Sequence, residues 1–292
     1  MIKNLVIGSG GIAGIAFLGA LKELQEQKYL DLNKIECFCG CSIGTFIIFL
    51  ILIDYTIDDI ILLATRLDFK DFLDIKAEDA ISFFHNYGFD NGQKLKQIIE
   101  KMATKNGRYP SNAALTFQEL YERTGKHFIV TVVCLDTKEV KYLDHKNSPD
   151  LSVIDCIRAS MAIPFLFQPV KINGKSYIDG GVIKAFPIEL FRKKKEETFG
   201  IKSSHMHRFF DNHDTEDITN IISNFKNYVL HVFYCPATNS YKIPHDMQYI
   251  ETDIKGDGLQ INNSFANRLQ YIQYGILDAK KYLKNLAINK ND

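Results

Sequence analysis

Gly40-Cys41-Ser42-Ile43-Gly44, at the end of the apolar run Cys37-Phe38-Cys39, decides how the rest of the chain is read. The pattern G-x-S-x-G sets a serine in a tight strand-to-helix turn, where its hydroxyl stands clear of its neighbours. Gly40 and Gly44 suit such a turn, because it is strained and the chain packs closely on both sides of it. The residues that follow, Phe46 to Ile53, are continuously apolar and long enough for a helix buried on most of its surface. Strand, elbow and helix therefore come in the right order. Three fixed positions in five also arise by chance, so the weight of the motif depends on its surroundings.

Upstream, Lys3-Asn4-Leu5-Val6-Ile7 reads as a short buried strand, and Gly8-Ser9-Gly10-Gly11-Ile12-Ala13-Gly14 follows it at once. Ile15 to Leu24 then has apolar residues at helical spacing. A glycine-rich loop between strand and helix presents bare N–H groups at a helix N-terminus, which favours negative charge. Three uses compete for it. A dinucleotide pyrophosphate would also need an acidic residue closing the second strand, and that strand ends instead in the serine elbow. The loop could serve as an oxyanion hole in which Gly10 and Gly11 donate to a developing alkoxide. It could also be a plain tight turn.

The 292 residues suffice for a large core, and 46% hydrophobic with 24% charged residues is an ordinary globular balance. The formal net charge is zero, so nothing in the overall charge draws the chain to nucleic acid. Six cysteines, at 37, 39, 41, 134, 156 and 235, lack the paired spacing of a zinc site and read as reduced core residues of an intracellular protein. Met1 to Leu21 loosely resembles a signal peptide, but five glycines between Gly8 and Gly19 interrupt the apolar helix that one would need. The apolar run 43–53 falls short of the roughly 20 residues that span a bilayer. The expectation is a cytoplasmic protein, at most peripheral to membranes.

Downstream, Asp54 to Met102 carries Phe69, Phe72, Phe83, Phe84, Tyr87 and Phe89, a density that suits helix packing better than a lipid-facing lid. Thr116 caps a helix with Glu119 in its first turn, His127–Asp136 is a strand, and Glu139–His145 is its hairpin partner. Ser152–Ser160 is a short helix, and Val170–Asp179 is a hairpin turning at Asn173-Gly174. That hairpin delivers Asp179, followed by Gly180 and Gly181. A free carboxylate, with a pKa of about 3.9, is a weak acceptor for a serine proton, and partial burial would raise it toward neutrality. By itself Asp-Gly-Gly is a turn.

Taken together, Gly10-Gly11-Ile12-Ala13-Gly14, Gly40-Cys41-Ser42-Ile43-Gly44 and Asp179-Gly180-Gly181, with Ala159 to Val170 leading to the aspartate, resemble the patatin-like phospholipases. These are lipid acyl hydrolases with a serine–aspartate dyad, and the resemblance spans about residues 3 to 191. It implies an α/β fold, a three-layer sandwich with a mainly parallel central sheet. It implies one domain over 1–292, with a motif-bearing core at 3–191 and a variable part at 192–292. The implied reaction is hydrolysis of carboxylic esters of phospholipids or related acyl lipids through an acyl-serine. Ser42 would be the nucleophile, Asp179 the general base, and Gly10 and Gly11 the oxyanion hole. Gly14, Gly40, Gly44, Gly180 and Gly181 would shape the backbone. No cofactor or metal is implied, and the implied partner is the lipid substrate, with transient contact at a membrane surface.

Ala13 departs from the family pattern, which has arginine or lysine there, and Ser9 replaces the first glycine of the fuller loop. Backbone donors do not depend on the missing cation, but head-group preference could. Two other readings remain at this point. A Ser-His-Asp hydrolase would draw its histidine from 205, 207, 213, 231 or 245, although several strands usually precede the elbow in that fold. An inactive lipid-binding module has Ala13 as its hint. Beyond Pro187, Arg192 to Glu197 reads as a solvated helix end, Phe225 to Tyr234 as a helix passing into a strand, and Asn267 to Asn285 as a terminal amphipathic helix.

Overall fold

The structure is a computed structural model that describes residues 1–74, 83, 86–104, 115–204, 243–254 and 264–288. Among these the chain runs β1 (Asn4–Ile7), α1 (Ile15–Glu26), β2 (Cys37–Cys41), α2 (Ile43–Leu52), α3 (Ile57–Arg66), β3 (Gly88–Asp90), α4 (Gln93–Thr104) and α5 (Phe117–Thr124). It continues through β4 (His127–Cys134), β5 (Glu139–Leu143), α6 (Val153–Ser160), β6 (Phe165–Phe167), β7 (Val170–Ile172), β8 (Lys175–Asp179), β9 (Thr198–Ser203), β10 (Gln248–Thr252) and α7 (Phe265–Ile288). Short 3-10 turns occupy Gly11–Gly14 and Gly180–Val182, and a longer, kinked one occupies Ile188–Glu197. The expected element at Phe225–Tyr234 and histidines 205, 207, 213 and 231 lie outside the described residues.

The apolar runs read as strands form the middle of one sheet, in the order β10-β9-β1-β2-β4-β8-β7, with β5 also on β4. The pairs from β10 to β4 are all parallel, while β5, β8 and β7 are antiparallel. β1 and β2 are buried at every position, as strands covered on both faces must be. One face, with Leu5, Ile7, Phe38 and Val130, packs on α1 and α2. The other, with Val6, Cys39 and Ile129, packs on Phe186, Ile188, Phe191 and Met247. These are the three layers, with the parallel sheet in the middle.

Register brings the two distant motifs together. β2 pairs with β4 from His127 to Thr131, and β8 pairs with it from Cys134 back to Val132. β5 overlaps both stretches, from Val130 to Cys134, so it must hold the opposite edge of β4. β2 and β8 therefore lie end to end on one edge, with Cys41 facing Thr131 and Asp179 facing Val132. The β7–β8 turn that sends Asp179 there has Asn173 and Gly174 at φ 49° and 78°, the left-handed pair of a two-residue hairpin.

The aromatic segment is partly packing. Phe83 stacks on Phe89 at 4.5 Å and leans on Phe165 at 6.0 Å, beside the small β3–β6 sheet, whereas Tyr87 is exposed. Phe84 and the Phe69 side chain lie outside the described residues.

α7, wider than the expected 267–285, crosses α1 with backbone against backbone. A Cβ on Gly19 would fall on the Ile272 carbonyl, and one on Gly275 would fall on the Ala16 carbonyl. Gly275→Val must push the helices apart, and its expected cost is about 3 kcal/mol or more, read from a urea midpoint. An unchanged midpoint would mean that α7 does not dock through this crossing.

Candidate active site

Ser42 caps α2 at φ 53° and ψ −127°, a conformation that costs a residue with a side chain on the order of 1–3 kcal/mol. Close packing on every side holds it there. A Cβ on Gly40 would lie 2.6 Å from Thr45 Cα, one on Gly14 2.5 Å from Ile43 Cγ2, and one on Gly44 2.6 Å from the Gly8 carbonyl oxygen. At Gly44 the elbow thus lies backbone against backbone on the end of β1, and at Gly14 the loop makes room for the Ile43 side chain.

Where β2 stops and β8 arrives, the ladder on β4 is interrupted, and Ser160 fills the gap. Its hydroxyl donates to the Thr131 carbonyl at 2.7 Å and accepts from the Ser42 N–H at 2.9 Å, with Thr45 Oγ1 at 3.1 Å. The residue is completely buried at the end of α6. Sequence reasoning places Ser160 in the approach to the aspartate without giving it a task. A serine closing a helix in Ala159-Ser160-Met161-Ala162 carries no local signal of the strand gap it plugs.

Asp179 sits 1% exposed, with Oδ2 accepting from the Ser42 hydroxyl at 2.6 Å and Oδ1 accepting from the Gly181 N–H at 2.7 Å. Burial pushes its carboxyl up to about 7, against the opposing pull of hydrogen bonds from Ser42, Gly181 and Cys41. The Cys41 thiol lies 3.9 Å from Oδ1. Burial, and then the Asp179 charge, drive that thiol well above its ordinary pKa, so it is a protonated neighbour and not a rival nucleophile. None of Asp179's hydrogen-bond partners among the described residues is a histidine. His127 instead pairs with Asp144 at 2.8 Å at the start of β4, His145 stacks on Tyr121, and His245 is exposed.

Gly180 and Gly181 each shape the backbone against a different neighbour. A Cβ on Gly180 would lie 2.5 Å from the Thr131 carbonyl oxygen, and one on Gly181 would lie 3.2 Å from Ser9. Close approach to β4 and to the glycine-rich loop, not to the serine elbow, is what these positions require. In that loop Gly11 has φ 51°, while Gly10 is extended. Ala13 is fully buried among Ile12, Ala16, Ile254 and Tyr271, so the family's arginine or lysine would have no space at this position.

Beside Ser42 lies a cavity of about 120 Å³. It follows α2 past Ile43, Phe46 and Ile47 to Leu50, and α3 closes it with Leu63 and Leu67. Among the described residues that line it, Ser42 and Arg268 carry the polar side chains. Among the described residues no group of three His, Cys, Asp or Glu side chains could hold a metal ion, and no helix is long and apolar enough to cross a membrane.

Ser160→Ala would leave both the Ser42 amide and the Thr131 carbonyl without their partner. The expected loss is about 2 kcal/mol of stability, with kcat falling and KM unchanged, because the nucleophile is no longer held in register. Native stability and native kcat in this variant would show that another group takes over both bonds.

Comparison with known proteins agrees with this geometry. The family described as "Patatin-like phospholipase" matches residues 5–192. The uncharacterized protein R571 of Acanthamoeba polyphaga mimivirus is 27% identical over 293 residues, covering 98% of this chain and 91% of that protein. The "Probable lipid hydrolase 463L" of Invertebrate iridescent virus 6 is 32% identical over 191 residues, covering 64% of this chain and 62% of the viral protein. Among solved structures, VipD from Legionella pneumophila aligns over 97% of this chain and 67% of its own with a TM-score of 0.60 at 17% identity, a likeness of fold. With a serine–aspartate pair formed by the ends of β2 and β8 and the family matched from β1 to beyond β8, the chain belongs to the patatin-like phospholipases.

Proposed function

We propose that the chain hydrolyses carboxylic esters of phospholipids or related acyl lipids, with Ser42 as nucleophile and Asp179 as general base. The observation that carries this reading is the 2.6 Å hydrogen bond from Ser42 Oγ to Asp179 Oδ2, made to a carboxyl held at about 7. Ser42 Oγ attacks the acyl carbonyl carbon while its proton passes to Asp179. The carbonyl oxygen becomes an oxyanion, placed at the N-terminus of α2 and served by the amides of Gly10 and Gly11, which make no hydrogen bond among the described residues. Asp179 then returns the proton to the departing alkoxide, leaving the acyl-serine. Water attacks that ester as Asp179 takes its proton, and collapse of the second tetrahedral intermediate returns the proton to Ser42 and releases the fatty acid. No cofactor enters these steps.

The apolar cavity along α2 is the acyl site of this reading, and its 120 Å³ compares with the roughly 150 Å³ that encloses benzene. Residues 1–292 act as one unit, since β9, β10 and α7 extend the sheet and cover the loop of the core. Exposed Leu62 on α3 and Phe265 and Leu269 on α7 flank the cavity walls and suit transient contact with a lipid surface. The five cysteines among the described residues are free thiols, which suits the reducing cytoplasm.

A fluorophosphonate probe should label Ser42, with labelling and ester hydrolysis both lost in Ser42→Ala. Asp179→Asn should remove nearly all turnover while the fold persists. The base acts only when ionised, so kcat/KM should be low in acid, rise through about pH 7 and level off above it. Labelling that survives Ser42→Ala, or full turnover in Asp179→Asn, would sink the assignment.

The acyl site gives its own expectation. Ala64, half-buried on α3, lines the cavity, and Ala64→Phe should fill part of it. Octanoyl ester turnover should fall about tenfold or more in kcat/KM while an acetyl ester stays within about threefold. Equal loss on both esters would place the acyl chain elsewhere.

A further inference from the structure

The hydroxyl of Ser9 is a buried polar group that the fold does not use. Ser9 is 7% exposed, and its Oγ has no hydrogen-bond partner among the described residues. Burying a hydroxyl unpaired carries a desolvation penalty that alanine or glycine would avoid, so a group of this kind calls for an explanation. The backbone beneath it is fixed from two sides: the Gly8 N–H donates to the Ile201 carbonyl at 2.9 Å and the Ser9 N–H to the Ala185 carbonyl at 2.8 Å. Ala185 follows the turn Gly180–Val182, which Asp179 caps and which the Lys184 N–H closes on the Gly180 carbonyl at 2.8 Å. Ser9 and Asp179 are therefore held within one hydrogen-bonded unit.

Gly181 lies between the two. The Cβ that it lacks would stand 3.0 Å from Asp179 Oδ1 and 3.2 Å from Ser9 Oγ, so the carboxylate and the hydroxyl flank one small space that carries no side chain. Asp179 Oδ1 accepts one close hydrogen bond, from the Gly181 N–H at 2.7 Å, while the Cys41 thiol stands off at 3.9 Å. A carboxylate oxygen can accept two such bonds. Gly11 and Ser42 line the apolar cavity and Ser9 does not, so its hydroxyl lies apart from the walls given to the acyl chain. A space between two oxygens and a bare Cα suits one water, which needs two to four polar partners, and suits no larger group.

Building on the proposed ester hydrolysis, we propose that Ser9 and Asp179 together hold the water that hydrolyses the acyl-serine. One water proton faces the Asp179 carboxylate and the other faces Ser9 Oγ, which leaves a lone pair for the acyl carbon. The new O–C bond forms as the first proton passes to Asp179. Collapse of the tetrahedral intermediate then breaks the bond to Ser42 Oγ, which receives that proton from Asp179, and the fatty acid leaves with the second. Ser9 is thus a positioning residue for the second half of the reaction. The first half, in which Ser42 itself attacks, does not require this water.

The test compares the full chain with its Ser9→Ala variant on p-nitrophenyl octanoate, whose nitrophenolate departs without needing a proton. Turnover at saturating ester is quenched in acid, and the fraction of chain carrying an octanoyl group is read by intact mass. Dividing kcat by that fraction gives the rate constant of water attack, whichever step limits turnover. In Ser9→Ala this constant should fall about tenfold or more, while kcat/KM, which reports attack by Ser42, stays within about threefold. The urea midpoint should be equal or higher, since an unpaired hydroxyl has been removed, so a kinetic loss cannot be laid to a weakened fold. Unchanged water attack overturns the proposal, and acyl-serine undetected in Ser9→Ala counts the same way. A fall in kcat/KM matching the fall in water attack would make Ser9 a prop of the dyad, and a fall in kcat/KM alone would give its hydroxyl to the substrate; either overturns it. If the alanine variant does not fold, Ser9→Gly decides on the same readings. A native chain that releases no nitrophenolate and carries no octanoyl group on Ser42 would remove the proposed reaction itself, whereas normal turnover with unchanged water attack in the variant removes only the role of Ser9.

Discussion

The site rests on a break in a β-ladder. β2 and β8 run toward each other along one edge of β4 and stop at Thr131 and Val132, and neither can complete the pairing there. A buried carbonyl left open at such a break costs about 1–3 kcal/mol. Ser160 prevents that loss at Thr131, and in doing so takes hold of the Ser42 amide. The break also accounts for the glycine after the aspartate, because the turning chain must pass Thr131 at a distance that no Cβ allows. Two residues 137 apart in sequence are thus brought within 2.6 Å by strand register, with little need for flexible side chains.

Burial gives the aspartate its chemistry and charges the fold for it. Its folded pKa, about 7, lies above the unfolded value of about 3.9. The sign follows directly: the associated stability is present below about pH 4 and is lost as pH rises through 7. Three units correspond to an upper bound on the order of 4 kcal/mol against the folded state at alkaline pH. The same pH range in which the carboxylate becomes a competent base is the range in which it weakens the fold. The hydrogen bonds from Ser42 and Gly181 limit this conflict, since they favour the ionised form. The strained φ of Ser42 adds a further cost, carried by the close glycine contacts around the elbow.

Much of this was legible in the sequence, for a physical reason. Gly40-Cys41-Ser42-Ile43-Gly44 and the glycine-rich loop are local devices, and their glycines mark tight backbone contacts wherever they occur. The order of strand, elbow and helix, the Asn173-Gly174 hairpin and the Thr116–Glu119 cap also depend on neighbours a few residues away. Ser160 was not legible in the same way, because its role exists only once β2, β4 and β8 are assembled. Nor was the Gly19–Gly275 crossing, which joins residues 256 apart and has no periodic signature on either helix. That Gly180 makes room for the Thr131 carbonyl is likewise revealed only by the assembled sheet. Ala13 could be seen as a departure from the family pattern, while its complete burial came from a helix 258 residues downstream.

That last contact ties the departure at position 13 to the rest of the molecule. A loop bearing arginine or lysine at this position must leave the cation an exit to solvent or to substrate. Here the C-terminal helix closes over the loop, and the small side chain allows Tyr271 and Ile254 to pack directly on it. Loop rigidity is gained, because an enclosed Ala13 holds the Gly10–Gly14 backbone from its outer side while Ile43 holds it from the inner side through Gly14. Rigidity at this loop matters to any reaction that develops charge beside it, since backbone donors act best when they need no reorganisation. The alanine is therefore coherent with an active site and does not by itself indicate a disabled one: what the loop loses in charge it recovers in fixed geometry, and the helix that enforces this geometry brings its own guanidinium to the cavity wall.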